Sequence, residues 1–371
     1  MIPIFKPWID EEEIKAVSDV LRSGWIGLGP KTKEFEERFA EYIGVKYAVA
    51  LNSCTAALHL AIKVLNVNKA EVITTPITFI SDAFAANYNN LDVVFADVQE
   101  DTLNIDPKDI ARKITSKTKI IIPVHYGGHP CDLDELIGIC QKKNLFLVED
   151  CSHAAGSEYK GKKVGSFGIM GCFSFHAVKN LAVGDGGMIT TDDKEIYERL
   201  LRLRWVGINK STFDRVKQKY SWDYDVNEIG FKHHANDITS AIGLTQLKKL
   251  ERGNDRRREI FQKYNKAFKD LTQIETPVLK KNIKSACHNY VIKAEQRNEL
   301  ISFLAKRDIA AGVHYKPLYL HPIYSNIKAD CPVADNVWKK VVTLPLYPDM
   351  KNDDINKVVA AVKDFYSKDK N

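Results

Sequence analysis

Between residues 46 and 150, short apolar segments take turns with helical stretches, and this alternation limits the possible folds more than any other feature of the chain. KYAVAL (46–51), EVITTP (71–76), DVVFADV (92–98), KIIIPVHY (119–126) and LFLVED (145–150) read as strands. TAALHLAIKVL (55–65) and CDLDELIGICQKKN (131–144) read as helices between them. The strand segments are continuously apolar, so both faces of the sheet must be covered. Such strands interleaved with helices imply an α/β fold whose mostly parallel sheet carries helices on both sides.

The pattern changes after Ala235. NDITSAIGLTQLKKLERGNDRRREIFQKYNKAFKDL (236–271) reads as one long helix with Gly253 as its weak point. HNYVIKA (288–294) and AAGVHYK (310–316) read as strands around a helix, ELISFLAKR (299–307), and DDINKVVAAVKDFYSK closes the chain as a helix. With 371 residues, two domains are expected. We place a large domain over 1–250, including an N-terminal arm with helix DEEEIKAVSDVLRS and turn GWIGLGP. A smaller α/β domain follows over 251–371. The charged run KKLERGNDRRRE (248–259) is expected to be a solvated helix face.

Net charge is +6, from 54 basic and 48 acidic residues. That mild excess suits phosphate-bearing small ligands and gives no concentrated face for nucleic acid. The seven cysteines include no CxxC pair, so neither a disulfide framework nor a zinc site fits, and no metal is expected. The N-terminus turns acidic too early for a signal peptide, and no apolar run has the length of a membrane span. A soluble cytoplasmic protein is the expectation.

Ligands of open parallel sheets bind beyond the carboxyl ends of the strands. Three such ends stand out. Asn52-Ser53-Cys54-Thr55 opens a helix, where free amides and the helix dipole favour a phosphate, although a plain N-cap is the simpler reading. Asp150 and His153 follow LFLV; the aspartate could cap a helix or hold a charged ring nitrogen. In CFSFHAVKNLAVGDGGMI (172–189) a strand delivers Ser174 and then Lys179 ahead of a glycine cluster. A lysine in partly apolar surroundings has a lowered amine pKa and forms Schiff bases readily, although a snorkelling lysine is commoner. Together, a phosphate site, a carboxylate and a lysine are what pyridoxal phosphate requires. No GxGxxG follows the first strand, which disfavours a dinucleotide-dependent dehydrogenase.

Eight ordered stretches then make a resemblance: SGWIGLGPKTKEFEERFAEY, NSCTAALHLA, TPITFISDA, PVHYGGHPCDLDEL, VEDCSHAAGS, FSFHAVKNLAVGDGGMI, GFKHHANDITSAIGLTQL and HYKPLYLHPIY. Over nearly its full length the chain resembles the DegT-type sugar aminotransferases, which use pyridoxal phosphate on an aspartate-aminotransferase-like fold. The resemblance implies that Lys179 binds the cofactor and moves protons, and that Asp150 pairs with the pyridine nitrogen. It implies His153 near the phenolic oxygen, Phe79 on the ring, and Cys54, Thr55 and Ser174 at the phosphate. Lys232 would reach the phosphate from a neighbouring subunit of a homodimer, and Trp25, His314, Tyr315 and Lys316 would face the substrate. Amino transfer from an amino acid, L-glutamate by resemblance, to a nucleoside-diphosphate-linked keto sugar is implied, with a 4-keto-6-deoxyhexose as acceptor. A 3-keto sugar aminotransferase, a sugar dehydratase and a catalytically silent regulator are the alternatives. The chain departs from the family pattern at Cys54, often Gly or Ala, and at Lys232-His233-His234-Ala235, commonly Asn-Tyr-Arg-Met. Tyr319 stands where His is common. Relatives that dehydrate carry His in place of the lysine; Lys179 here favours transamination. The segment 211–227 and HYKPLY are expected to shape sugar choice.

Overall fold

The computed structural model describes residues 1–209, 222 and 224–367. The expected specificity segment 211–227 therefore lies largely outside the described residues. Among the described residues, nine strands belong to the first two-thirds of the chain. They are β1 (Tyr47–Leu51), β2 (Glu71–Thr74), β3 (Asp92–Phe95), β4 (Thr118–Ile122), β5 (Phe146–Asp150), β6 (Glu158–Tyr159), β7 (Lys162–Lys163), β8 (Met170–Ser174) and β9 (Gly187–Thr191). Seven of them form one sheet in the order β1-β9-β8-β5-β4-β2-β3. The pairs β2–β3, β2–β4, β4–β5 and β5–β8 are parallel, while β9 runs antiparallel to both of its neighbours.

The burial explains the continuous apolar runs. In β4, Ile120 and Ile122 join a core on one face, with Leu58, Leu60 and Ile62 of the helix Cys54–Val64. Ile121 between them joins a core on the other face, with Phe35 and Phe39 of the helix Pro30–Ile43. Successive strand side chains point to opposite faces, so two covered faces leave no polar positions.

Four further strands follow: β10 (Ile274–Glu275), β11 (Ile283–Lys284), β12 (Tyr290–Ala294) and β13 (Val341–Leu344). β10-β12-β13 form a small antiparallel sheet, and β11 pairs with β6. The small sheet shares a core with the helices Arg297–Ala305 and Asn352–Ser367, through residues such as Tyr264, Tyr290, Leu300 and Val358. The N-terminus attaches here: the Ile2 amide donates to Asp308 at 2.6 Å, and Leu346 donates to Ile4 at 3.0 Å.

Several sequence expectations require correction. AAGVHYK (310–316) is not a strand; only Gly312 bridges Thr343, because His314 and Tyr315 are turned toward the site. The edge strand is VVTL at 341–344 instead. KIIIPVHY stops as a strand at Ile122, where Pro123 lacks an amide for the ladder. The long helix runs unbroken from Asp237 to Phe268, with Gly253 packed near Pro348 and Trp8. Its charged run is not simply solvated. Lys249 is 5% exposed and bridges Glu13 at 2.6 Å and Asp10 at 3.0 Å, and Arg257 is buried. Residue 250, where the domain junction is expected inside or beside the long helix, lies within this helix.

One distant contact fixes the frame. The helix Pro30–Ile43 begins at Gly29, which offers no side-chain cap. Asp237 supplies it instead, accepting from the amides of Gly29 (2.9 Å), Lys31 (3.1 Å) and Thr32 (2.9 Å) and from the Thr32 hydroxyl (2.8 Å). A carboxylate at a helix N-terminus satisfies orphan donors and the dipole together. Asp237→Ala is expected to lower the unfolding free energy by roughly 3 kcal/mol, and Asp237→Asn by less, as read by urea denaturation.

Candidate active site

The carboxyl ends of β1, β2, β5 and β8 converge on one cavity of about 400 Å³. Cys54, Thr55, Phe79, Asp150, Ser174, Lys179, His314 and Tyr315 line it, together with Ser53, Asp82 and His176. A larger hollow, of about 620 Å³, opens between the helices Glu11–Ser23, Pro30–Ile43 and Asp237–Phe268. Its Lys31 and Glu34 already pair with each other, as do Arg38 and Glu41, which makes it ordinary surface.

At the β1 end, Ser53 is the N-cap of the helix Cys54–Val64, its hydroxyl accepting from the Ala56 amide at 3.1 Å. The capping reading is thus correct for Ser53, and the turn still faces the cavity. Gly187 presses on it: a Cβ there would meet the Ser53 carbonyl oxygen at 2.3 Å and the Cys54 nitrogen at 2.7 Å. The last glycine of GDGG is therefore required by close backbone approach. Thr55 and Ser81 hydroxyls lie 2.7 Å apart. Phe79 is 60% exposed, which rules out a core role for its ring.

Asp150 ends β5, and its Oδ1 accepts from the Ser152 amide at 2.7 Å. The preceding Glu149 faces the other way and is fully buried. It accepts from His125 Nε2 (3.1 Å) and from the amides of Gly165 (2.9 Å), Phe167 (2.8 Å) and Gly168 (2.8 Å). Burial raises its pKa, but His125 and these amides outweigh it and hold the carboxyl below its ordinary range. Glu149 thereby anchors the strand end that presents Asp150. With its oxygens so used, the nearby trio His125, Glu149 and Cys151 is a structural cluster.

Lys179 lies on the loop between β8 and β9. Phe175 closes this loop through backbone bonds with Gly186 and Val183. Leu181, Ala182 and Val183 plug it into the core. The buried Asn180 amide donates to Asn254 at 2.8 Å and to the Ala286 carbonyl at 2.9 Å, while its oxygen accepts from His288 at 2.9 Å. These contacts hold the neighbouring lysine in place. Burial lowers the Lys179 pKa to about 8, against the opposing pull of Asp150, Cys54 and Asp82.

His153 stands behind the cavity wall. Its Nδ1 accepts from the Gly127 amide at 3.4 Å, which leaves the proton of the neutral ring on Nε2, 3.2 Å from the Tyr315 hydroxyl. The ring also stacks against Tyr315 and packs on His288. Burial pushes its pKa well down. His314 bonds Thr343 at 2.8 Å, and burial lowers its pKa to about 4.

Besides His153, three residues named from the sequence are not among those lining the cavity. Trp25 packs on Gly29, its Nε1 donating to the Leu28 carbonyl at 3.2 Å. Lys316 is exposed. Lys232 is exposed with its amine 3.4 Å over the Trp205 ring, while its carbonyl oxygen accepts from Asn52, beside the Ser53–Cys54 turn. Sequence reasoning missed Asp82, Asn180 and His288. Asp82 resembles any acidic residue in a first helical turn, and the partners of Asn180 lie 74 and 106 residues away.

A lysine of lowered pKa, a strand-end carboxylate and a capped turn around one cavity define a pyridoxal-phosphate transaminase site. The chain belongs to the DegT/DnrJ/EryC1/StrS aminotransferase family, whose model matches residues 7–363. It is a pyridoxal-phosphate-dependent sugar aminotransferase. It is 41% identical to the spore coat polysaccharide biosynthesis protein SpsC of Bacillus subtilis, over 98% of this chain and 97% of SpsC. Helicobacter pylori PseC, an aminotransferase of pseudoaminic acid biosynthesis, superposes with a TM-score of 0.93 at 32% identity, covering 99% of both chains. The PLP-form of the sugar aminotransferase Spr1654 of Streptococcus pneumoniae gives 0.92 at 34%, again over 99% of each chain. Among the described residues, no helix is long and apolar enough to cross a membrane.

The amine environment makes a pH prediction. Only the neutral amine adds to a carbonyl, so capture of pyridoxal phosphate by the apoprotein should accelerate as pH rises to about 8 and level off above it. An ordinary lysine would keep accelerating to about 10.4. Stopped-flow absorbance across pH checks this; a midpoint near that of free lysine would contradict the geometry.

Proposed function

We propose that this chain moves an amino group from L-glutamate to a nucleoside-diphosphate-linked 4-keto-6-deoxyhexose. The observation that carries the reading is Lys179, its amine desolvated in one cavity with Asp150. The cavity fits the cofactor, with a helix start and a Gly187-packed turn at one end and a carboxylate within it. Bound pyridoxal phosphate supplies an electrophilic carbonyl and a ring that accepts electrons from the substrate's α carbon.

The chain's own residues supply the rest. Lys179 would hold the cofactor covalently, and its free, neutral amine would take up and return a proton as a general base and acid. Asp150 would keep a proton on the ring nitrogen through its charge. Amides at the start of the helix Cys54–Val64, with the Thr55 and Ser174 hydroxyls, hold the phosphate. Phe79 covers the ring. His153, neutral and bonded to Tyr315 behind the cavity wall, would act on the phenolic oxygen's side through Tyr315. His314 and Tyr315 meet the sugar.

A homodimer belongs to this reading. Lys232, exposed beside the phosphate turn, would reach the neighbour's phosphate as a charge-assisted donor. Ile229 at 87% exposure and Trp222 at 79% support a face covered by a second copy. A fully active monomer in sedimentation would contradict the dimer.

The place of SpsC in spore coat polysaccharide biosynthesis, and the sugar aminotransferases among the similar structures, support a sugar acceptor. The dehydratase alternative is weakened by the lysine at 179, since His176 is out of register with it. Incubation with L-glutamate and a panel of nucleotide-linked keto sugars should give 2-oxoglutarate and a product with the mass of an amino sugar. Lys179→Ala should lower turnover by roughly 10³-fold or more. A product lacking nitrogen and one oxygen would mean dehydration instead, and no turnover with any donor would mean a silent relative.

A further inference from the structure

Asp82 is 1% exposed and lies in the first turn of the helix Ser81–Tyr88, lining the cavity with Asp150. One of its oxygens, Oδ2, accepts from the Thr78 hydroxyl at 2.6 Å. The other, Oδ1, is buried with no hydrogen-bond partner. The Asp150 carboxyl faces Asp82 within hydrogen-bonding approach. Two ionised carboxylates cannot share such a site, and an orphaned buried oxygen is costly. A single proton removes both difficulties, since it turns a repulsive acceptor pair into a donor and an acceptor.

We propose that Asp82 is held as a neutral acid that donates its proton to the Asp150 carboxylate, and so acts as a positioning residue for the cofactor ring. Asp150 then keeps one negative charge, fixed in direction, for the ring nitrogen. No net proton transfer is involved. This rests on the reading of Asp150 given above. The groups facing Asp82 are Asp150 and Cys172 from the sheet, Cys54 from the first helix turn, Lys179 from its loop and Tyr315 from the C-terminal segment. Burial, then the charge of Asp150, raises the acid form of Asp82 well above the ordinary range, and of these neighbours only Lys179 supplies a positive charge.

The sign follows. A carboxyl whose folded pKa is raised contributes its stability fully below the unfolded value near 4 and loses it as pH rises through the folded value. Asparagine donates permanently and carries no such cost. The thermal midpoint of apo Asp82→Asn should therefore exceed that of the wild-type apoprotein by a margin that widens from pH 5 to pH 8. The wild-type apoprotein at pH 8 should also show an infrared band of a protonated carboxyl that Asp82→Asn lacks. Asp82→Ala should weaken pyridoxal phosphate binding by about tenfold, with Asp82→Asn restoring it to within about threefold. A constant or shrinking margin would overturn the proposal, and so would the absence of any protonated-carboxyl band in wild type, whether or not the variants fold. Asp150→Ala separates the two readings. If it releases the cofactor while both Asp82 variants bind like wild type, Asp82 has no such role. If it too binds like wild type, the reading of Asp150 itself fails.

Discussion

Taking the Lys179 amine out of water costs the fold free energy, and much of the surrounding architecture holds it there. Burial alone would drive the amine toward neutrality, and the charge of Asp150 above all pulls it back, leaving its pKa at about 8. A side chain as flexible as lysine keeps such a position only if its backbone is fixed. Leu181, Ala182 and Val183 do this from one side, and the Asn180 network to Asn254, Ala286 and His288 does it from below. The lysine is thus poised by its supports, which come from both sheet-bearing parts of the chain.

The same logic applies at the other strand ends. Asp150 is presented by a strand whose preceding residue, Glu149, is fixed by four donors. The Ser53–Cys54 turn is pinned by its own cap and by the close approach of Gly187. Asp150 follows directly on the buried, fully bonded Glu149, and Lys179 directly precedes the buried, fully bonded Asn180. Preorganisation of this kind lets polar groups act in a site of low dielectric without first rearranging.

Much of this was legible in the sequence. Strands buried on both faces must be apolar at every position, so β1, β2, β4 and β5 announced themselves, and ligand sites at their carboxyl ends followed. Lys179, Asp150, Cys54 and Thr55 stood out because they sit next to such strands, and all four line the one cavity. What was illegible has a common cause, namely contacts between residues far apart in the chain. The Asp237 cap on a helix about 205 residues earlier leaves no local trace. The strand expected at 310–316 failed because His314 and Tyr315 serve the site, and local pattern does not report that. Lys249 and Arg257 read as surface charges, yet the first is buried against Glu13 and the second lies in the interior.

The central claim is that one lysine among the chain's many carries the cofactor. Borohydride reduction of the holoprotein, followed by proteolysis and peptide mass spectrometry, tests this most directly. The account predicts a single phosphopyridoxyl group, located on Lys179 within the peptide that follows β8. The same modification on another lysine, or none that survives reduction, would contradict it.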